Sequence, residues 1–170
     1  MKTRAHPAAR IRLRTARARD LPAVLGLYAQ PAIDASDVLP VAAAKVILRR
    51  FSRYPNYHLY VATLGRRVVG TYALLIMDNL AHRGARSGVV EDVMVAPELH
   101  GRGIGRKMMQ HALERCAAAR CYKLSLSSNL RRKAAHRFYE GLGFERHGYS
   151  FLVKIPGRKA WPRGVVRRRR

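Results

Sequence analysis

VVEDVMVAPELHGRGIGRKMMQHALERCAAA, residues 89–119, is the stretch whose reading decides the fold. Five of its first seven residues are apolar and mostly valine, and Pro97 follows closely, so 89–95 is expected to be a strand. GIGRKMMQHALERCAAA (103–119) is expected to be a helix, with Ile104, Met108, Met109, Ala112, Leu113 and Cys116 on one face. Between them lies HGRGIG, glycine at 101, 103 and 105, with Arg102, Arg106 and Lys107 interleaved or just beyond. Glycines let the chain turn tightly and bring amide N–H groups close to an anion. The unpaired N–H groups and positive end of the helix supply the attraction. Glycine spacing alone fits a phosphate loop and a plain strand-to-helix turn equally well. Two better-known phosphate loops do not fit. A P-loop needs Gly-Lys-Ser/Thr, whereas Lys107 follows Arg106 and precedes Met108. A dinucleotide fingerprint needs two residues before its third glycine, and only Ile104 separates Gly103 from Gly105.

The flanking sequence supplies the other elements. IRLRTARARD (11–20) alternates apolar and polar residues and reaches Asp20, a good helix N-cap, with Pro22 in the first turn. That predicts a strand followed by a helix near 20–30. PAIDASD (31–37) reads as a loop and VAAAKVILRRF (41–51) as a helix. NYHLYVAT (56–63) and VVGTYALLIM (68–77) read as a hairpin turning at GRR. DNLAHRGARSG (78–88) is a long polar connection. YKLSLSS (122–128) alternates as a strand, RKAAHRFYEGLG (132–143) is a helix stopping at Gly141 or Gly143, and FERHGYSFLVKI (144–155) is expected to complete the sheet. The order predicts an α/β fold, a mixed sheet with helices on both faces.

With 170 residues and 48% hydrophobic content, the chain is expected to form one domain with a real core. No apolar run reaches the roughly 18 residues of a membrane span. No apolar stretch backs the basic N-terminus, so no secretory signal is expected. Cys116 and Cys121 lack the histidine partners of a zinc site, so no metal is expected, and they read as thiols of a reduced compartment, the cytoplasm. The net charge is +24, and residues 1–19 and 154–170 carry 15 of the 34 basic residues and none of the acids. The expected organisation is a basic arm (1–10), one domain (11–155) and a basic tail (156–170). Such arms bind polyanions incidentally by counterion release.

VMVAPELHGRGIGRKMM (93–109) resembles motif A of the GCN5-related N-acetyltransferases, whose signature is Arg/Gln-x-x-Gly-x-Gly/Ala after a strand ending in V-x-P. SNLRRKAAHRFYEGLGFERHGY (128–149) resembles motif B of the same family, with its Ala-x-x-Phe-Tyr-x-x-x-Gly-Phe core. VVEDVMV, CYKLSLS and FYEGLGF also resemble small-molecule members of the family that act on glucosamine 6-phosphate and aminoalkylphosphonates. The resemblance implies a single-domain, mostly antiparallel sheet with a splayed central strand pair, and acetyl-CoA as acetyl donor. It implies cofactor contacts at the backbone of Val93, Met94 and Val95, at the loop His100, Gly101, Arg102, Gly103, Ile104, Gly105 and Arg106, and at Asn129. His100 departs from the family's Arg or Gln at the first signature position.

Acetyl transfer needs a neutral amine, a hydrogen-bond donor for the thioester carbonyl and a proton for the departing thiolate. The resemblance implies that Tyr139 supplies the proton and that the amide of Met94 or a neighbour binds the carbonyl. Glu91 and Asp92 are the acids on the cofactor strand, and only one can face the cleft unless a bulge intervenes. Glu91 shares the parity of Val89 and Val93. His82, His100, His111, His136 and His147 are weaker candidates for a base. His82, Arg83 and Arg86 lie where the small-molecule relatives build part of the acceptor site, and arginine suits an anionic amine. The expected activity is therefore acetylation of a small-molecule amine, in a chain that could also dimerise. A protein N-acetyltransferase, a non-catalytic acetyl-CoA-binding protein and a nucleic-acid-binding module using the basic arms are the alternatives.

Overall fold

The computed structural model describes residues 10–30 and 38–153. The expected loop at 31–37, nearly all of both basic arms and the final residues of the last expected strand lie outside the described residues. Five strands, β1 (Ile11–Thr15), β2 (Tyr57–Leu64), β3 (Arg67–Met77), β4 (Arg86–Val95) and β5 (Cys121–Leu126), form one sheet in chain order. The first four pair antiparallel, and β5 joins β4 in parallel. A parallel pair needs a long crossover. Helix α3 (Ile104–Ala118) provides it.

β3 explains the layers. Its central residues, from Val69 to Leu74, are buried, as a strand covered on both faces requires. The two-residue period splits them. Gly70 and Tyr72 face α3, while Ala73 faces α1 (Leu21–Tyr28) and α2 (Val41–Phe51). Helix α3 lies close because two glycines leave room: a Cβ at Gly70 would come within 2.7 Å of Met108 Sδ, and one at Gly88 within 2.4 Å of Cys116 Sγ. The Tyr72 hydroxyl and His111 Nδ1 share a hydrogen bond at 2.6 Å. Burial lowers the pKa of His111 and raises that of Tyr72, so the pair stays neutral and is structural.

Asp20 ties β1 to α1. Its carboxylate accepts two hydrogen bonds from the Arg14 guanidinium, at 2.6 and 2.8 Å, and one from the Arg17 amide at 2.7 Å. Asp20 is only 6% exposed, and these bonds, Arg14 first, hold its pKa below the usual carboxylate range.

Two expectations change. Residues 144–153 form no strand, and Tyr149, Phe151, Leu152 and Val153 are exposed. β-propensity registers packing against neighbouring strands, and an alternating pattern without a paired edge does not make a strand. Consequently β4 and β5 are the last pair of the described sheet, not a central one. Helix α4 (Lys133–Glu140) follows β5 and packs against the start of α3, where a Cβ at Gly105 would meet the Phe138 ring at 3.0 Å.

Candidate active site

β4 and β5 pair only from Arg86–Cys121 to Val90–Leu126. Beyond Val90, β4 continues along β3 without β5, so residues 91–95 present one open edge. The Ala96 amide donates to Val69 O at 2.9 Å, and Met94 lies opposite Thr71. Alternation along the strand therefore turns the Met94 amide toward β3 and the amides of Val93 and Val95 toward the open edge. The donor expected at Met94 or its neighbour thus falls to the neighbours. Val95 O is already engaged, accepting from Gln30 Nε2 at 3.3 Å and from His100 Nε2 at 3.1 Å. His100, the departure from the motif, turns its ring back onto the end of β4.

Below the open edge lies the glycine loop. Gly101 and Gly103 adopt φ of +75° and +76°, a left-handed conformation that L side chains rarely take, and a Cβ at either would meet nothing within 4 Å. Lys107 is the first residue of the turn whose amide finds a carbonyl, Gly103 O at 3.1 Å, which leaves the amides of Gly103, Ile104, Gly105 and Arg106 without a main-chain acceptor. Arg102 and Arg106 flank this set of donors. On the β5 side, Ser128 Oγ is buried and has no partner among the described residues. Asn129 caps the next turn: its Oδ1 accepts from the Arg131 amide at 2.9 Å, and its carbonyl accepts from His136 Nε2 at 3.0 Å. Free amides over open space and two flanking cations fit a phosphate-bearing ligand at this loop.

The acids face away from that loop, on the α1–α2 side. Thr71 pairs with Met94 and Ala73 with Glu91, so two residues of β4, Asp92 and Val93, oppose Tyr72 alone. Asp92 takes φ of +53° in this β-bulge. The bulge breaks the simple parity expected of Val89, Glu91 and Val93: Glu91 stays on the Ala73 face and Asp92 is added to it. Asp92 lines a cavity of about 310 Å³ between α1, α2 and the sheet, with Leu25, Ala44, Ile47, Leu48 and Leu59 among its walls. Partial desolvation raises the pKa of both acids, which remain solvent-exposed, and the charge of Asp92 raises Glu91 further. Tyr28 and Tyr57, whose pKa values are also raised by burial and then by Asp92, stand beside them. Nothing in the residue types singled out this cavity. Apolar periodicity marked the faces of α1 and α2, but not that the helices leave space between them.

Tyr139 is 9% exposed, its ring edge-on to Phe138 and Phe144, and burial raises its pKa. It therefore keeps its proton at neutral pH. His82, Arg83 and Arg86 sit at the other end of β4. Arg86 pairs with Asp78 at 2.7 Å, and the His82 ring lies 4.5 Å from that of Tyr122. A larger groove of about 920 Å³, lined by Arg12, Arg14, Arg19, Arg66 and Arg67, meets β4 only past its end.

The sheet thus opens between a bulged strand and its parallel neighbour, with a glycine-rich helix start beneath the gap. The model of the acetyltransferase (GNAT) family matches residues 23–144, and the chain belongs to that family. It is 31% identical over 101 residues to an aminoalkylphosphonate N-acetyltransferase of Salmonella typhimurium, covering 59% of this chain and 65% of that one. It is 35% identical over 81 residues to a glucosamine 6-phosphate N-acetyltransferase of Trypanosoma brucei brucei, covering 48% and 53%. The matches thus span less than two thirds of these curated relatives. A solved structure from Agrobacterium tumefaciens, described as a candidate acetyltransferase, superposes with a TM-score of 0.78 at 32% identity, covering 85% of this chain and 99% of that one. Among the described residues no helix is long and apolar enough to cross a membrane.

Proposed function

We propose that the chain is an N-acetyltransferase that moves an acetyl group from acetyl-CoA to the primary amine of a small molecule by direct attack in a ternary complex. The observation that carries this reading is the open edge of β4 over the unpaired amides of residues 103–106. Those amides, with Arg102 and Arg106, hold the diphosphate. Val93 and Val95 pair with the pantetheine arm through their outward amides, and Asn129 meets it from the β5 side.

The bound thioester supplies an acyl carbon: a C–N bond forms, the C–S bond breaks, and the thiolate leaves as a thiol once protonated. Asp92 accepts the proton that makes the acceptor amine nucleophilic, directly or through water, with Glu91 beside it. A main-chain amide at Val93 or Val95 donates to the carbonyl oxygen as charge builds there. Tyr139 holds the proton for the leaving sulfur, which burial keeps on the phenol. The address expected from the thiols, the cytoplasm, belongs to the same reading, which leaves room for a homodimer. Incubating the full chain with acetyl-CoA and a panel of primary amines should release free thiol in an amine-dependent way. Release that ignores the amine, or none at all with acetyl-CoA bound, would favour a non-catalytic binder.

A further inference from the structure

We infer that the acceptor is a primary amine carried on an uncharged hydrocarbon body, an arylalkyl or branched alkyl amine, with the body in the α1–α2 cavity and the ammonium on Asp92. This rests on the acetyltransferase reading and narrows its substrate class.

The cavity's chemistry is lopsided. Among the described residues lining it, Asp92 carries the sole charge and Tyr28 the sole hydroxyl, and the rest are aliphatic or aromatic. A phosphate or phosphonate placed there would lie beside a like-charged carboxylate with no cation among the described lining residues to pair it. An ammonium beside Asp92 is complementary instead. Size agrees. A cavity of about 150 Å³ is enough for benzene, and this one, at about 310 Å³, has room for a ring and a short chain.

Position agrees too. Asp92 is the direct neighbour of Val93, whose amide faces the open edge, and adjacent Cα atoms are about 3.8 Å apart. An amine held by Asp92 is therefore beside the acyl carbon, while its body extends away from the gap between β4 and β5. The cations expected to grip an anionic acceptor are elsewhere. Arg86 pairs opposite Cys121 at the start of β4, and at about 3.3 Å per residue it lies more than about 15 Å from Asp92. A short aminoalkyl anion does not bridge that distance.

The test compares 2-phenylethylamine with 2-aminoethylphosphonate, two amines on the same two-carbon chain, by thiol release from acetyl-CoA with the full chain. The expected kcat/KM ratio favours the aryl amine by about 100-fold. Ile47→Lys, which puts a cation on the partly exposed cavity wall, should cut the aryl amine about tenfold and raise the phosphonate. A wild-type ratio of one or less overturns the inference and leaves the enzyme reading standing. So does an Ile47→Lys variant, folded by circular dichroism, that lowers both amines equally. Thiol release from neither amine, with a wider panel also silent, removes the acetyltransferase reading and this inference with it.

Discussion

Asp92→Asn should lower kcat/KM for amine acetylation by about 100-fold or more, the usual weight of a general base, while acetyl-CoA affinity stays nearly unchanged. The carboxylate is placed by a bulge that serves no pairing need of the sheet, next to the amides expected to hold the thioester. Burial raises its pKa, so the basic form appears at a higher pH than for an ordinary aspartate. The wild-type kcat/KM should therefore fall as pH drops through that raised value, and the acidic limb due to Asp92 should vanish in the Asn variant. Linkage gives the stability change the opposite sign. A carboxyl that binds its proton more tightly folded than unfolded costs stability once ionised. Asp92→Asn should thus leave the melting temperature equal or higher, which separates lost chemistry from lost fold. A variant with wild-type kcat/KM would take Asp92 out of the mechanism.

Asp20→Ala should destabilise the fold by about 2–3 kcal/mol, below the range for fully buried pairs because Arg14 is partly exposed. The variant strips Arg14 of both hydrogen bonds and leaves the Arg17 amide uncapped. Denaturant unfolding reads this as a lower midpoint at constant slope. The pH dependence follows from the depressed folded pKa. The contribution is present above the unfolded value near about 4 and is lost as pH falls through the lower folded one. Wild type and variant should therefore converge in strong acid. An equal gap at pH 7 and below pH 2 would mean that packing, not the ion pair, holds β1 to α1.

The elements from β1 to α4 were legible because local chemistry and burial agree. Pro22 in the first turn marks α1, although the Asp20 side chain binds Arg14 and the Arg17 amide instead of capping that helix; alternation marks β2, and Ile104, Met108, Met109, Ala112 and Cys116 mark α3, with Leu113 exposed. The glycine loop was legible because positive φ at Gly101 and Gly103 leaves little choice of residue. Three features were not. The bulge at Asp92 places a non-glycine residue at positive φ, which composition does not announce, so parity alone gave Glu91 as the acid toward the cleft. The cavity depends on the distance between α1 and α2, a tertiary quantity. The segment 144–153 has strand-like alternation, but pairing decides strands and it has no partner there.

The most direct measurement is calorimetric titration of the full chain with acetyl-CoA at low ionic strength, repeated with Gly103→Val. A β-branched residue is costly at positive φ, and at this position it closes over the free amides. Saturable binding of one acetyl-CoA per chain, weakened about tenfold or more by the substitution, is the expected result. No saturable heat, or heat that Gly103→Val leaves untouched, would mean that the glycine loop does not hold the diphosphate.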